Sequence, residues 1–224
     1  MRMRKKEWAR PELAVCPYFI QEPEKLAGNW NNWFPRRQPL HVELGCGKGV
    51  FTAEIAFRNP QINYLGIDLS PDVLGVARRN VERLYGEGNR PVDNLAFTAY
   101  NIEQIENIIH KEDAVERIYI NFCNPWPKGK HHKKRLTHFR QLIKYKAFLM
   151  DGGEIHFKTD NSDLYLATLR YFRESGFEIL YETKDLYKEN CVDNVKTEHE
   201  IMFASQGIPI KKVIARYRRD DGNS

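Results

Sequence analysis

The chain has 224 residues, 42% of them hydrophobic, which is enough for one well-buried core and short of an evident need for two. Its four cysteines, Cys16, Cys46, Cys123 and Cys191, are scattered without a CxxC pair, which excludes a zinc ribbon or a dithiol redox motif and reads as reduced cytosolic thiols. The net charge of +5 is modest, so the position of the basic residues is what informs. They fall in three groups: MRMRKKEWAR at the start, KGKHHKKR at 128 to 135, and Lys211, Lys212, Arg216, Arg218 and Arg219 near the end. Three basic groups in a chain with 12% aromatics point to a polyanion, and nucleic acid stands ahead of a membrane because no amphipathic anchor helix is present. His131 and His132 lie side by side inside a lysine run and lack a second ligand pair, so no metal is expected. No apolar core follows the first charges and no stretch reaches spanning length, so neither a signal peptide nor a membrane segment is expected, and the cytoplasm is the expected compartment.

Residues 1–38, rich in Pro, Trp and charge, read as an irregular basic arm, 39–219 as the domain, and 220–224 as a tail. LHVEL at 40 to 44 has the look of a short buried strand, followed by the turn GCGKG and a helix over VFTAEIAFR that stops before Asn59-Pro60. INYLGID is a second strand. Ser70 and Pro71 then cap and open a helix through Val73, Val76, Ala77, Val81 and Leu84. NLAFTAY, ERIYINF and GGEIHFKT predict three more strands, separated by a weak helix over IEQIENII and a stronger one over LTHFRQLIKYKAFL. Such alternation predicts an α/β fold with a parallel sheet covered on both faces. After a helix near 162 to 175, FEILYET and the segments around 197 to 203 and 209 to 217 read as strands without a long helix between them, so the sheet is expected to end antiparallel.

Ligands of such sheets bind where strand C-termini meet helix N-termini. There the chain places Glu43 ahead of Gly45-Cys46-Gly47-Lys48-Gly49, then Asp68, Asn101, Asn124 and Asp160 in turn. Any one of these would most often be a cap or turn former. Five in series indicate a ligand site. The glycines permit a tight turn and close approach, and Asp68 suits the two hydroxyls of a ribose. Val50 stands where a dinucleotide-binding turn continues toward its last glycine, no G-K-[ST] follows for a phosphate loop, and Glu43 would repel a pyrophosphate, which disfavours a nicotinamide oxidoreductase. S-adenosylmethionine fits better: a ribose for Asp68, an adenine amino group for an amide such as Asn101, and a cationic end for Glu43.

The chain resembles the bacterial tRNA (guanine-N7)-methyltransferases over nearly its whole length, through HVELGCGKG, YLGIDLS, INFCNPWPKGKHHKKRL, HFKTDN and TEHEIMFASQG. The resemblance implies a Rossmann-like class I methyltransferase with a mostly parallel seven-stranded sheet and an antiparallel end. It further implies methyl transfer from S-adenosylmethionine to N7 of a guanine in the variable loop of tRNA, position 46 in standard tRNA numbering; a monomer and a homodimer both stay open. By position it implies that Glu43, Gly45, Gly47, Asp68, Asn101 and Asn124 meet the cofactor, and that Lys128, Asp160, Thr197 and Glu200 meet the substrate. The chain departs from the family in having Asn101 and Asn124 where Asp is usual, and the second acid is the family's proposed active-site residue. Because guanine N7 carries a lone pair and no proton, attack needs no general base, and Asn124 is read as a positioning residue. A protein that kept the fold and RNA binding but lost the reaction is the alternative those two asparagines leave open. Pro125 and Pro127 are expected to stiffen the corner around Trp126, whose ring either stacks on a base or packs under the loop. Asp160 and Glu200 are the candidates to accept from guanine N1–H and its amino group.

Overall fold

In the computed structural model, which describes residues 5–189 and 194–219, the first described segment is already part of the domain. Helix α1 (Ala9–Ala14) lies on α4 (Pro71–Glu87), with Ala9 fully buried. The contact is close enough that a Cβ at Gly75 would lie 2.5 Å from the Ala9 Cβ, so only glycine fits there. Strand β1 (Phe19–Ile20) then pairs in parallel with β4 (Leu95–Ala99). Helix α2 (Trp30–Trp33) buries Trp30, whose backbone N–H and that of Gly28 both donate to the buried carboxylate of Asp113, at 2.9 and 2.8 Å. Residues 5 to 38 are therefore not an irregular arm. They are stitched to the core by contacts between distant parts of the chain, which no local periodicity records. Residues 1–4, 190–193 (with Cys191) and the tail 220–224 lie outside the described residues.

The remaining strands are β2 (Leu40–Leu44), β3 (Asn63–Asp68), β5 (Val115–Asn121), β6 (Leu149–Thr159), β7 (Phe177–Thr183) and β8 (Lys211–Tyr217). The sheet has eight strands in the order β1-β4-β3-β2-β5-β6-β8-β7, parallel from β1 to β6 and antiparallel at β8 and β7. It is one strand more than the expected seven, and the extra one is β1. One face carries α3 (Val50–Arg58) and α4 over Tyr64, Phe97 and Tyr119; the other carries α5 (Phe139–Phe148) and α6 (Ser162–Glu174) over Val42, Ile67, Ile120 and Phe157. All five residues of β2 are buried, as a central parallel strand covered on both sides requires.

Two expected elements differ. IEQIENII forms a six-residue 3-10 turn over Ile102–Asn107 instead of an α-helix. The segment around 197 to 203, read as a strand, is helix α7 (Glu198–Ser205). Its Thr197 hydroxyl accepts from Glu200 N at 2.9 Å while the Glu200 carboxylate reaches back to Thr197 N, a capping box that outweighs the β-branched and aromatic residues nearby. The signal was present in T-E-H-E.

Candidate active site

The order β4-β3-β2-β5-β6 brings the predicted polar residues to one edge of the sheet in spatial series: Asn101, Asp68, Glu43 with its glycine turn, Asn124, Asp160. The turn after β2 has Gly45, Gly47 and Gly49 all at positive φ (78°, 55° and 65°). Gly45 N and Cys46 N donate to Ile67 O, and Gly47 N donates to Asp68 Oδ2 at 3.0 Å, so the turn is fastened to the end of β3. The other Asp68 oxygen accepts from Ser70 N at 3.0 Å. A Cβ at Gly49 would lie 2.6 Å from Ala77 and 2.8 Å from the Phe97 ring, whereas the Cβ position of Gly47 faces open space. One glycine seats the helix on the sheet, and the other leaves room for a ligand.

Glu43 is 4% exposed. One of its oxygens accepts from the Thr52 hydroxyl and the other from Asn121 Nδ2 at 3.0 Å. Burial pushes its pKa up to about 7; Thr52, Asn121 and the Lys158 ammonium pull against that rise, and Asp68 adds to it. Asn101, exposed, accepts from Glu103 N and caps the 3-10 turn.

The corner after β5 is held by more than its prolines. Phe122 and Trp126 both adopt left-handed backbone, with φ of 51° and 44°, which bulky residues rarely do. Asn124 Oδ1 accepts from Trp126 N at 3.0 Å. Arg135, 3% exposed, donates from Nε to Pro125 O at 2.8 Å and from its terminal nitrogen to Trp126 O at 3.4 Å, so its guanidinium fork grips the corner from beneath. Trp126 is half-buried against its own loop, with Lys134 Nζ 5.1 Å from its ring centre and the His131 ring at 5.7 Å. Lys128 is exposed at the start of the 3-10 turn Gly129–Lys134.

Helix α7 closes over this edge. Its Glu198 pairs with Lys48 of the glycine turn at 2.6 Å, and its His199 and Phe203 rings stack on Phe122 of the corner. Glu200 is fully buried and ion-paired with Lys158 Nζ at 2.7 Å, with Asn194 and the Tyr187 hydroxyl also donating to it. Lys158 further donates to Val195 O at 2.9 Å; burial lowers its pKa while Glu200 holds it up. Glu200 and Thr197 thus sit beside the edge and build α7, with the Glu200 oxygens taken by Lys158, Asn194, Tyr187 and Thr197 N. Asp160 is half-buried at the end of β6, and its carboxylate has no partner among the described residues. Sequence reasoning missed Asn121, Thr52, Arg135 and Lys158. Lys158, inside HFKTDN, and Asn121 and Arg135, near the two ends of INFCNPWPKGKHHKKRL, lay in motifs already singled out, whereas Thr52 did not. Among the described residues no three His, Cys, Asp or Glu side chains form a metal cluster, and no helix is long and apolar enough to cross a membrane.

The strand order and the glycine turn beside an acid-ended strand define the class: an α/β S-adenosylmethionine-dependent methyltransferase. The fold matches the solved 16S rRNA methyltransferase KamB with a TM-score of 0.60 over 97% of this chain and 96% of that one, at 10% identity. The family model described as "Putative methyltransferase" matches residues 37–213. A tRNA (guanine-N(7)-)-methyltransferase of Clostridium beijerinckii is 54% identical over 96% of this chain and 98% of its own length. One from Ruminiclostridium cellulolyticum is 49% identical over 98% and 93%. The chain belongs to the tRNA (guanine-N(7)-)-methyltransferase family.

Proposed function

We propose that this protein transfers the methyl group of S-adenosylmethionine to N7 of the variable-loop guanine at position 46 of tRNA in the cytoplasm. The observation that carries the reading is the meeting, on one sheet edge, of an open glycine turn, the carboxylates of Glu43 and Asp68, and a rigid corner that leads straight into a basic run. S-adenosylmethionine supplies a methyl group activated on a sulfonium. The residues fit that ligand: Asp68 retains lone pairs for a ribose, Gly47 leaves space, and Glu43 puts negative charge behind the turn. With 4% of its surface exposed, Glu43 acts on the cationic end mainly through its field, while its bonds from Thr52 and Asn121 tie α3 to β5 behind the turn.

Asn124 has no proton to remove. Because Trp126 N–H must be met by oxygen, the amide is oriented, and its two N–H donors have no partner among the described residues. Guanine presents O6 as an acceptor beside N7, so Asn124 can donate to O6 and leave the N7 lone pair clear for in-line attack. Asp160, whose carboxylate has no partner among the described residues, is assigned here to accept from N1–H and the amino group. Glu200 serves from behind, through Lys158 and the cap of α7. Lys128 and its neighbours supply phosphate contacts that do not read sequence. The test is incubation with unmodified tRNA and methyl-labelled S-adenosylmethionine, followed by chain cleavage at 7-methylguanine. Label at a single variable-loop guanine is expected; tRNA bound without label would replace the reading with a non-catalytic RNA-binding protein.

A further inference from the structure

Among the described residues, α1 packs on α4, over β3 and β4, rather than on the stretch of sheet beyond α3 formed by β5, β6 and β8. A cavity of about 520 Å³ opens there, with Arg58 of α3, Arg117 of β5, Lys158 of β6 and Lys212 of β8 in its walls and no carboxylate among the residues that line it. We propose that this cavity is a second tRNA-binding surface, which receives the phosphate–ribose backbone across Arg58, Arg117 and Lys212. The proposal rests on the reading of tRNA as substrate.

The cations differ in how far they are committed. Lys158 is buried and occupied by Glu200. Arg117 pairs with Glu154 at 3.3 Å, but its Nε is buried without a partner. Among the described residues Arg58 holds only Glu54, in a largely exposed pair that a phosphate can replace at small cost. Lys212 has no carboxylate partner among the described residues and leans on the Tyr181 ring at 5.9 Å. Arg216, two pleats further along the same face of β8, continues the line, itself paired with Glu154. The floor is aromatic and polar, formed by Tyr119, His41 and His156. Burial holds the two imidazoles far below the usual range, at about 3 and about 4, so they are neutral at pH 7 and serve as hydrogen-bonding groups.

Cations drawn from α3, β5 and β8, and thus spread across several strands, suit a chain of phosphates better than one small anion. The cavity also borders the reaction site: Asn121, in its wall, donates to Glu43, and Lys158 secures α7. A tRNA gripped here and at Lys128 would straddle the sheet edge, with the target guanine between the two grips.

The experiment compares the full chain with Lys212→Glu, Arg58→Glu and Arg83→Glu, the last an exposed arginine of α4 that carries the same charge change elsewhere. Binding of unmodified tRNA is followed by fluorescence anisotropy at several salt concentrations, with S-adenosylmethionine calorimetry and thermal melting as controls for folding. Lys212→Glu and Arg58→Glu are each expected to weaken tRNA binding about fivefold or more and to lower the salt slope by about one, with cofactor binding unchanged. Arg83→Glu is expected to leave the slope alone. Equal effects from all three would reduce the surface to bulk charge and overturn the proposal. Titration with inorganic phosphate or AMP that fills the cavity without competing with tRNA would assign it to a small anion, and overturn it as well. Methylation by the unaltered protein is measured in parallel: its absence counts against the proposed function, whereas labelled tRNA with unaffected variants counts only against this surface.

Discussion

The turn after β2 and the corner after β5 meet the same edge of the sheet and are built from opposite materials. The first uses three glycines at positive φ, is fastened by backbone N–H groups to Ile67 and Asp68, and keeps a side-chain-free surface at Gly47. The second forces two aromatic residues into left-handed backbone and fixes them with Asn124, two prolines and the buried fork of Arg135. A cradle must let a ligand come close, so it removes side chains. A projection must hold one amide in one place, so it adds constraints until the loop has a single shape.

The largest way to break that contrast is Gly49→Val. A branched side chain at positive φ, against Ala77 and Phe97, is expected to destabilise the protein by several kcal/mol, roughly 3–5, and to abolish cofactor binding, as read by melting and calorimetry. At the corner, Asn124→Ala is expected to lower kcat about ten- to a hundredfold with S-adenosylmethionine affinity little changed; turnover equal to the parent would remove Asn124 from the positioning role. Arg135→Ala should mimic it, since the loss of two charge-assisted bonds to Pro125 and Trp126 costs about 2–3 kcal/mol and frees the loop, while Arg135→Lys recovers only part because ammonium cannot fork.

A smaller effect sharpens the cradle's side. With Glu43 raised to about 7 by burial, the folded protein binds its proton more tightly than the unfolded chain does. Its contribution to stability is therefore present below about pH 4.5 and is lost as pH rises toward 7, on the order of 2–3 kcal/mol, so Glu43→Gln should gain stability relative to the parent over that window in urea melts. A cationic ligand works the other way and favours the carboxylate. S-adenosylmethionine binding is expected to tighten as pH rises through 7 with a proton released, and the slope should vanish in Glu43→Gln. The smallest effect is Lys128→Ala: a few-fold weaker tRNA binding and a salt slope lower by about one.

Several features of this protein were legible in its residues alone. The strand–helix alternation, the short apolar strands, and the polar residue at the end of each parallel strand follow from local periodicity and from the rule that such ends face ligands. The family motifs followed directly from the chain as well. What the tertiary structure decided depended on contacts far apart in sequence. A two-residue strand and a buried Trp30 turned an apparent arm into a sheet edge because Asp113, more than eighty residues away, accepts its backbone donors. Glu200 is an internal anchor because Lys158 reaches it from another strand. Arg135, outwardly one more residue of a basic run, was turned inward by two carbonyl groups that only a folded corner presents. Periodicity reports which face of an element is apolar. Which partner meets a buried charge is settled only when the strands are ordered, because an unpaired charge is too costly to bury and the chain must close around whatever neutralises it.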